Sequence, residues 1–441
     1  MNRPYLFYKI LIFTTLLVSQ TAMAQVFSPY SRYGLGTLRN PVFSANRAMG
    51  SISAPYKNGS YINYANPASY GFIRYATIEA GANVDINNIT VGDTVYKSTN
   101  GSVNHVALAV PINLKKGTAG VSMGLLPYSN VNYSFIQRYD NDTVLGPHSY
   151  LFDGDGSNNQ VYLGVGFQFK GFAFGVNGAY VFGKTEYNKV IAFPDSSDAF
   201  YTRNTTSYNV KGFTYNAGLQ YNVRVFHNPD DSLSSKRDIY LTAGATLSAG
   251  VKLTTKYSNY WDRFYFNTSG STVVVDTSNA QFNVKSKITM PYQLSGGVMV
   301  GNERFWQIGA DFHYAAWSKY SAPLGNDNLG NSYRFNVGFQ LIPNDFDANK
   351  KHYFNRVQYR AGFSYGLSEV SYKGQQLNEI GGSIGFAFPF RIAVFEASRV
   401  NVTGEFGSRG ANVTNAVREN YFKLTFGLSI NDIWFIRRKF D

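Results

Sequence analysis

From Arg74 towards the C-terminus the chain repeats one pattern, with apolar side chains at every second position over runs of roughly ten residues. A strand sends successive side chains to opposite faces, so each run presents one apolar face and one mixed face. That is the signature of strands that cross a membrane within a closed barrel. Ala76, Ile78, Ala80, Ala82, Val84 and Ile86 form the first such face. Val161, Leu163, Val165, Phe167 and Phe169 form another, as do Trp306, Ile308, Ala310, Phe312 and Tyr314. The pattern predicts strands near 74–86, 102–113, 117–137, 159–170, 172–190, 206–226, 238–256, 286–301, 303–319, 331–343, 355–372, 376–391, 397–410 and 420–434. About fourteen strands result, an even number as bacterial barrels require. Tight connections at Lys170-Gly171 and Gly301-Asn302 are expected at one end, with longer ones such as 138–158 and 257–285 mostly at the other.

Residues 25–73 break the alternation and carry Pro29, Pro41, Pro55 and Pro67 among several glycines, which suits an irregular segment better than strands. Irregular backbone survives at membrane depth only where protein or water satisfies its hydrogen bonds, so this stretch is expected as a hatch or plug inside the lumen. Residues 1–24 have a basic start (Arg3, Lys9), an apolar run from Ile10 to Val18 and the small-residue pattern Ala22-Met23-Ala24. They read as a cleavable signal peptide, with the mature chain beginning at Gln25. The expected organisation is therefore a signal peptide (1–24), a hatch (25–73) and an all-β transmembrane antiparallel barrel (74–441), located in the outer membrane of a Gram-negative bacterium.

Composition sharpens this picture. Charged residues make up only 15% against about 25% in soluble domains, yet mean hydropathy is -0.22. No stretch after the N-terminus is long and apolar enough for a membrane helix, which takes roughly 20 residues. Tyr (34) and Phe (35) far outnumber Trp (4), as aromatic girdles would have it. Cysteine is absent, which leaves no disulfide frame, thiol nucleophile or lipid-modified cysteine. The formal charge of +13 is scattered, a pattern expected to meet anionic outer-membrane lipid or lipopolysaccharide and not nucleic acid.

Three motifs invite chemistry. Gly362-Phe363-Ser364-Tyr365-Gly366 matches G-x-S-x-G, but a nucleophile elbow needs a strand, a sharp turn and a helix around it, and here strand continues on both sides. Asp153-Gly154-Asp155-Gly156-Ser157-Asn158 opens like a calcium loop but lacks the closing Glu, since position 164 is Gly, so a solvated outer loop is the expectation. The five histidines (His105, His148, His227, His313, His352) have no recognisable spacing. No enzyme, metal or cofactor is expected. Strand parity places Asp311, His313, Arg334, Arg356, Arg360, Glu405 and Lys423 in the lumen, where charges are expected to be paired. Tyr257, Tyr260, Trp261, Phe264, Tyr265 and Phe266 crowd one outer segment, either as an aromatic patch for an apolar ligand or partner, or as an interfacial girdle on strand extensions.

The segment from Met290, MPYQLSGGVMVGNERFWQIGADFHYAAWSKY, resembles the FadL/TodX-type outer-membrane transporters of hydrophobic compounds, with a proline-aromatic strand start, a tight turn and a strand ending in Trp317-Ser318. Later stretches, Gln358 to Tyr365 and Ile384 to Pro389, look like successive late strands of that family. Arg47-Ala48-Met49-Gly50 followed by Asn66-Pro67-Ala68 resembles its hatch motif, and the opening Ser28 to Gly34 is similar to the Bacteroidota branch. The resemblance implies a 14-stranded barrel with an N-terminal hatch and lateral exit of ligand at a kinked third strand. Pro127 interrupts that strand here, its missing N–H breaking the ladder, with a simple bulge or strand-end proline as the plainer reading. Two functions follow as expectations. One is a channel for passive uptake of small hydrophobic compounds such as long-chain fatty acids; the other is a non-transporting barrel subunit or scaffold of a larger Bacteroidota outer-membrane assembly or secretion complex, with other outer-membrane proteins as partners.

Overall fold

A computed structural model describes residues 28–434 apart from positions 93, 115, 194–198, 228–237, 326, 346–349, 393–394 and 414–415. The expected signal peptide and the start at Gln25 lie outside the described residues. After a two-residue strand β1 (Thr37–Leu38), the chain runs through β2 (Ala76–Val91), β3 (Thr94–Asn113), β4 (Thr118–Tyr139), β5 (His148–Phe169), β6 (Phe172–Ala192) and β7 (Tyr201–Phe226). It continues with β8 (Ile239–Ser248), β9 (Lys252–Phe266), β10 (Thr272–Thr289), β11 (Gln293–Asn302), β12 (Trp306–Ala315) and β13 (Ser332–Leu341). The last strands are β14 (Gln358–Tyr372), β15 (Gln375–Ile392), β16 (Phe395–Arg409) and β17 (Arg418–Asp432).

All pairings are antiparallel, and β17 pairs with β2 from Arg418↔Thr90 to Asp432↔Ala76, which closes the ring. β7 pairs with β8 through Asn216–Phe226 and with β9 through Tyr201–Lys211, so β8 and β9 are two halves of one wall strand. β10 and β11 are likewise halves of the next, interrupted at Met290-Pro291-Tyr292, where Pro291 has no N–H to give. Counting each pair of halves once gives a closed barrel of fourteen strands, each at a place the alternation predicted.

The burial pattern is inverted relative to a soluble protein. In β2 the polar Thr77, Glu79, Asp85 and Asn87 are buried, while Ile78, Val84 and Ile86 are exposed. Outward Phe172, Phe174 and Leu219 are more than half exposed. A ring of this kind satisfies its backbone through closure and turns its apolar face to hydrocarbon. No described helix is long and apolar enough to cross a membrane.

Several boundaries differ from expectation. Residues 148–158 belong to β5, so the acidic Asp153 to Asn158 stretch is strand and not an outer loop. The 257–285 connection shrinks to 267–271 between β9 and β10. The turn expected at Gly301-Asn302 falls just after it, at 303–305, and the strand expected to end at Trp317-Ser318 stops at Ala315 before a 3-10 turn, Trp317–Lys319. The division into a short-turn end and a long-loop end is only partial. The end that holds the start of β2 and the finish of β17, the lower end, carries the 170–171 turn but also the long 342–357 connection.

Candidate functional site in the barrel lumen

Residues 28–73 meet the inward faces of strands all around the ring. Pro29–Arg32 forms a 3-10 turn near β4, Ser44–Arg47 a single helical turn against β15, β16 and β17, and Pro67–Phe72 a 3-10 turn against β4 to β7. The residues of the expected hatch motif have visible local roles. Asn66 caps the last turn, its Oδ1 accepting from the Ala68 amide at 3.1 Å while its Nδ2 donates to the Ala54 carbonyl at 2.6 Å. Pro67 follows at the first helical position, where its missing N–H costs nothing. Gly50 adopts φ +67 and its amide donates to Ser383 Oγ at 3.0 Å. A Cβ there would lie 2.7 Å from the Val337 carbonyl oxygen and 2.8 Å from that of Phe363, so only glycine fits.

The barrel reciprocates with inward glycines. A Cβ on Gly338 or Gly362 would run into the backbone of Met49 and Gly50; one on Gly166 or Gly175 would meet that of Pro67; one on Gly244 would meet that of Ala54. Backbone thus lies against backbone at β5, β6, β8, β13 and β14.

Between these contacts the charges are paired with one another or hydrogen-bonded to neutral side chains. Arg47 donates to Glu405 Oε2, the Asn104 side chain and the Asn40 carbonyl, each at 3.3 Å, and to the Val42 carbonyl at 3.2 Å. Asp311 Oδ2 accepts from the amides of Ser53 (2.7 Å) and Ala54 (3.2 Å), its Oδ1 accepts from Asn336 at 2.8 Å, and His313 Nε2 lies 3.1 Å away. Arg360 donates to Gln340 (2.9 Å), Asn401 (3.0 Å) and Gln358, with the Tyr61 ring beneath it. Arg334 and Arg409 share Glu379 at 3.0 and 3.1 Å. Of the lumen charges predicted by parity, Asp311, His313, Arg334, Arg360 and Glu405 lie in this network. Lys423 stacks on Tyr421, and Arg356 sits instead in the 3-10 segment Lys350–Arg356 below the ring. At the lower end, Arg74 holds Glu303 at 2.5 Å. Burial opposes ionisation of Glu303, but the Lys57 ammonium and Arg74 guanidinium hold its pKa below the ordinary value.

The sequence reading did not name Glu79, Asp85, Glu379 or Arg409 as lumen charges, and at one place the alternation itself shifts. A bulge between Gly81 and Ala82 of β2 and their partners on β3 leaves Asn104 and His105 both buried, one on Arg47 and the other stacked on Phe43 at 3.8 Å. The signal was a stutter in the alternation at Val103-Asn104-His105-Val106.

The third strand behaves unusually at Pro127. β4 pairs with β3 only from Thr118 to Leu125, and its pairing with β5 skips Tyr128. Above that point the β3-side edge of β4 is taken by the N-terminal segment. Thr37 pairs with Asn130 and Leu38 with Ser129, Arg39 N donates to the Tyr128 carbonyl at 2.9 Å, and Ser28 N to the Asn132 carbonyl at 3.3 Å. From this seam a cavity of about 270 Å³ reaches across the lumen, and its walls include Arg39, Tyr64, Gln160, His313, Trp317 and Glu379. Its lining mixes charge with rings, unlike the mainly apolar lining usual for small-molecule sites, and its volume lies at the lower edge of their range of about 300–1,000 Å³.

The outer aromatic residues do not form one patch, because β9 continues through them. Phe264 is buried and stacked on Tyr201, whereas Tyr265 and Phe266 are exposed, and Tyr257, Tyr260 and Trp261 are half-buried. Tyr257 donates to Gln281 at 3.0 Å, and Tyr260 rests on Phe282 of β10. Strand alternation divides them between two faces of a strand extension. Ser364 lies within the uninterrupted β14, so no elbow surrounds it. Among the described residues no group of three His, Cys, Asp or Glu side chains could hold a metal ion.

The model of the BamG family matches residues 6–441. Among solved structures, the Pseudomonas putida toluene transporter TodX matches with a TM-score of 0.52 at 14% identity, over 90% of this chain and 100% of that one. The Ralstonia pickettii toluene transporter TbuX gives 0.52 at 14%, over 89% and 99%. A Pseudomonas aeruginosa FadL homologue gives 0.52 at 12%, over 88% and 97%. At these identities the likeness establishes the fold, that of FadL-type barrels. No curated protein matches the sequence.

Proposed function

The chain belongs to the BamG family, and from that premise we propose that it is a closed outer-membrane barrel serving as a non-transporting subunit or scaffold of a larger outer-membrane assembly or secretion complex. The observation that carries this reading is the way residues 28–73 are tied to the lumen wall. Residues 28–73 act as a fixed plug, held by backbone contact at inward glycines and by paired charges such as Arg47 with Glu405. A path for apolar molecules needs a continuous apolar pocket, whereas this lumen offers hydrogen-bonded polar groups that would be left unpaired if the segment moved. The outer membrane is the matching location, since closed barrels with apolar outward faces need lipid around them. Such a subunit works through its surfaces and requires no catalytic residue or cofactor.

A second reading, passive passage of small hydrophobic compounds such as long-chain fatty acids, is favoured by the FadL-type fold together with the cavity that reaches from the β3–β4 seam across the lumen. One experiment separates the two: gentle detergent extraction of a tagged chain from its native membrane, followed by mass spectrometry of co-purifying proteins and bound lipids. Stoichiometric protein partners without an enriched apolar ligand are expected. An isolated barrel carrying fatty-acid-like molecules would overturn the scaffold reading in favour of transport.

A further inference from the structure

On the outward side of the taller wall, β6, β7, β9 and β10 bring six lysines together over three adjacent same-face rows. The register sets Lys184 opposite Asn209, Asn209 opposite Lys256, and Lys256 opposite Lys285. One row lower, Lys211 faces Thr254 and Thr254 faces Lys287, while Lys252 opens β9 opposite Thr289. The alternate positions Val210, Leu253 and Ile288 are buried, so the lysines share the outward face, and all six are exposed. Neighbouring strands lie about 4.8 Å apart and same-face residues about 6.8 Å apart along a strand, so these long side chains converge within reach of one multivalent anion.

Two features say what that anion is. Lys184 has Glu186 at 3.0 Å, but among the described residues no carboxylate pairs with Lys211, Lys252, Lys256, Lys285 or Lys287. Lys256 and Lys285 stand directly opposite each other, an arrangement that costs stability unless a negative group lies between them. Immediately below, Phe182 faces Lys211 across the β6–β7 pair, then come outward Tyr180, Phe213 and Tyr215, and the exposed apolar wall continues down to Phe172. The lysines therefore sit where the continuous apolar wall gives way to strand extensions on which exposed apolar residues such as Phe282 and Val274 are scattered among polar ones. Above them only strand extensions remain, the side on which bacterial barrels rise out of the membrane. A soluble anion has no use for the aromatic wall beneath, whereas a lipid with phosphate above and acyl chains below matches both halves.

We propose that this lysine tier binds the phosphorylated headgroup of a lipopolysaccharide-type glycolipid of the outer leaflet, whose acyl chains lie along Phe182, Tyr180 and Phe213. The site is independent of whether the lumen conducts. Lysine suits it, since a flexible ammonium neutralises phosphate without a fixed bidentate geometry.

The test uses the full-length chain in mild detergent. The probes are lipid A, the same lipid A with its phosphates removed, and inorganic phosphate, with native mass spectrometry and competition as readouts. Lipid A is expected to bind the wild type and to weaken roughly tenfold or more in the combined Lys256→Gln, Lys285→Gln and Lys287→Gln variant. The corresponding combined Lys→Arg variant and Lys97→Gln, an exposed lysine on β3 outside the tier, should bind like wild type. Resistance of the folded barrel to unfolding during electrophoresis shows that each variant is intact. Equal binding of dephosphorylated lipid A, unchanged binding by the Gln variant, or saturation by inorganic phosphate alone would each overturn the proposal. Loss of a co-purifying protein from the Gln variant while lipid A binding stays constant would assign the tier to an acidic protein partner instead.

Discussion

The wall formed by β12 to β15 and the seam between β3 and β4 both meet the N-terminal segment, and they close in opposite ways. At the wall, Asp311 takes the amides of Ser53 and Ala54, Ser383 takes that of Gly50, and Gly338 and Gly362 let backbone rest on backbone. At the seam, β3 and β4 part above Leu125, and closure rests mainly on backbone hydrogen bonds from Ser28, Thr37–Leu38 and Arg39 to β4, with side-chain ties from Ser28 to Glu419 and from Arg39 to Asp85. The first is closure by packing, where nothing opens without stranding buried polar groups. The second is an added edge strand, which can be released without breaking the ring. An opening at the seam would leave the β3–β4 pairing below Leu125 in place, whereas one at the wall would strip Asp311 and Ser383 of their partners.

Breaking the anchor should produce the largest effect. In a Gly362→Val variant the new Cβ would land on the backbone of Met49 and Gly50, which have no flexible end to swing aside. Overpacking of this kind costs about 1–3 kcal/mol in a yielding core and more where only backbone can yield. The expected result is a clear fall in melting temperature together with a new conductance in planar bilayers as the segment leaves the lumen. Wild-type melting and a silent bilayer would show that the contact is looser than the structure has it.

A matched pair of arginine truncations comes next. Arg47→Ala takes the ion-pair partner from the half-buried Glu405 and the hydrogen bonds from Asn104, Asn40 and Val42, a loss of at most about 3–5 kcal/mol, the cost of breaking a fully buried pair. Arg39→Ala removes one side-chain contact, to Asp85 at the seam, whereas Arg47 also holds Asn104, Asn40 and Val42; Lys423 stands opposite both acids in the register and offsets either loss alike. Chemical denaturation of the two variants side by side should find Arg47→Ala clearly the more destabilised. Equal losses would remove the distinction between anchor and seam.

How much of this could be read from the sequence depends on where hydrocarbon ends. Every wall strand was legible where lipid imposes alternation, as in Ala76 to Ile86. The upper part of β5 was not, because Asp153, Asp155 and Ser157 point outward above the apolar band and both faces of the strand are polar there. Period two persists in the backbone after it has vanished from hydropathy. The same holds for β10, whose residues 274–285 are exposed throughout. In the lumen, parity identified Asp311, Arg360 and Glu405 as inward but could not name their partners. Arg47 and Glu405 are 358 positions apart, and no local pattern links them. The bulge that turns both Asn104 and His105 inward also lay beyond parity, since an extra residue resets the alternation.

The last prediction concerns the seam and expects almost no effect. The chain has no cysteine, so Thr37→Cys combined with Asn130→Cys introduces a single defined pair. The two positions are register partners in an antiparallel ladder, and both are only half-buried, within reach of an oxidant. Facing residues in such a ladder have Cα atoms about 4.5–5.5 Å apart, a spacing a disulfide can bridge. Oxidation would tie β1 to β4 and fix the seam shut. If the barrel acts through its surfaces, the oxidised and reduced forms should retain the same co-purifying proteins and the same melting behaviour to within a few degrees. If apolar compounds leave through the seam, oxidation should abolish their uptake and dithiothreitol should restore it. Reversible inhibition of this kind would return function to the cavity beside Arg39 and Trp317, whereas an indifferent lock leaves the outer surface as the working part of the molecule.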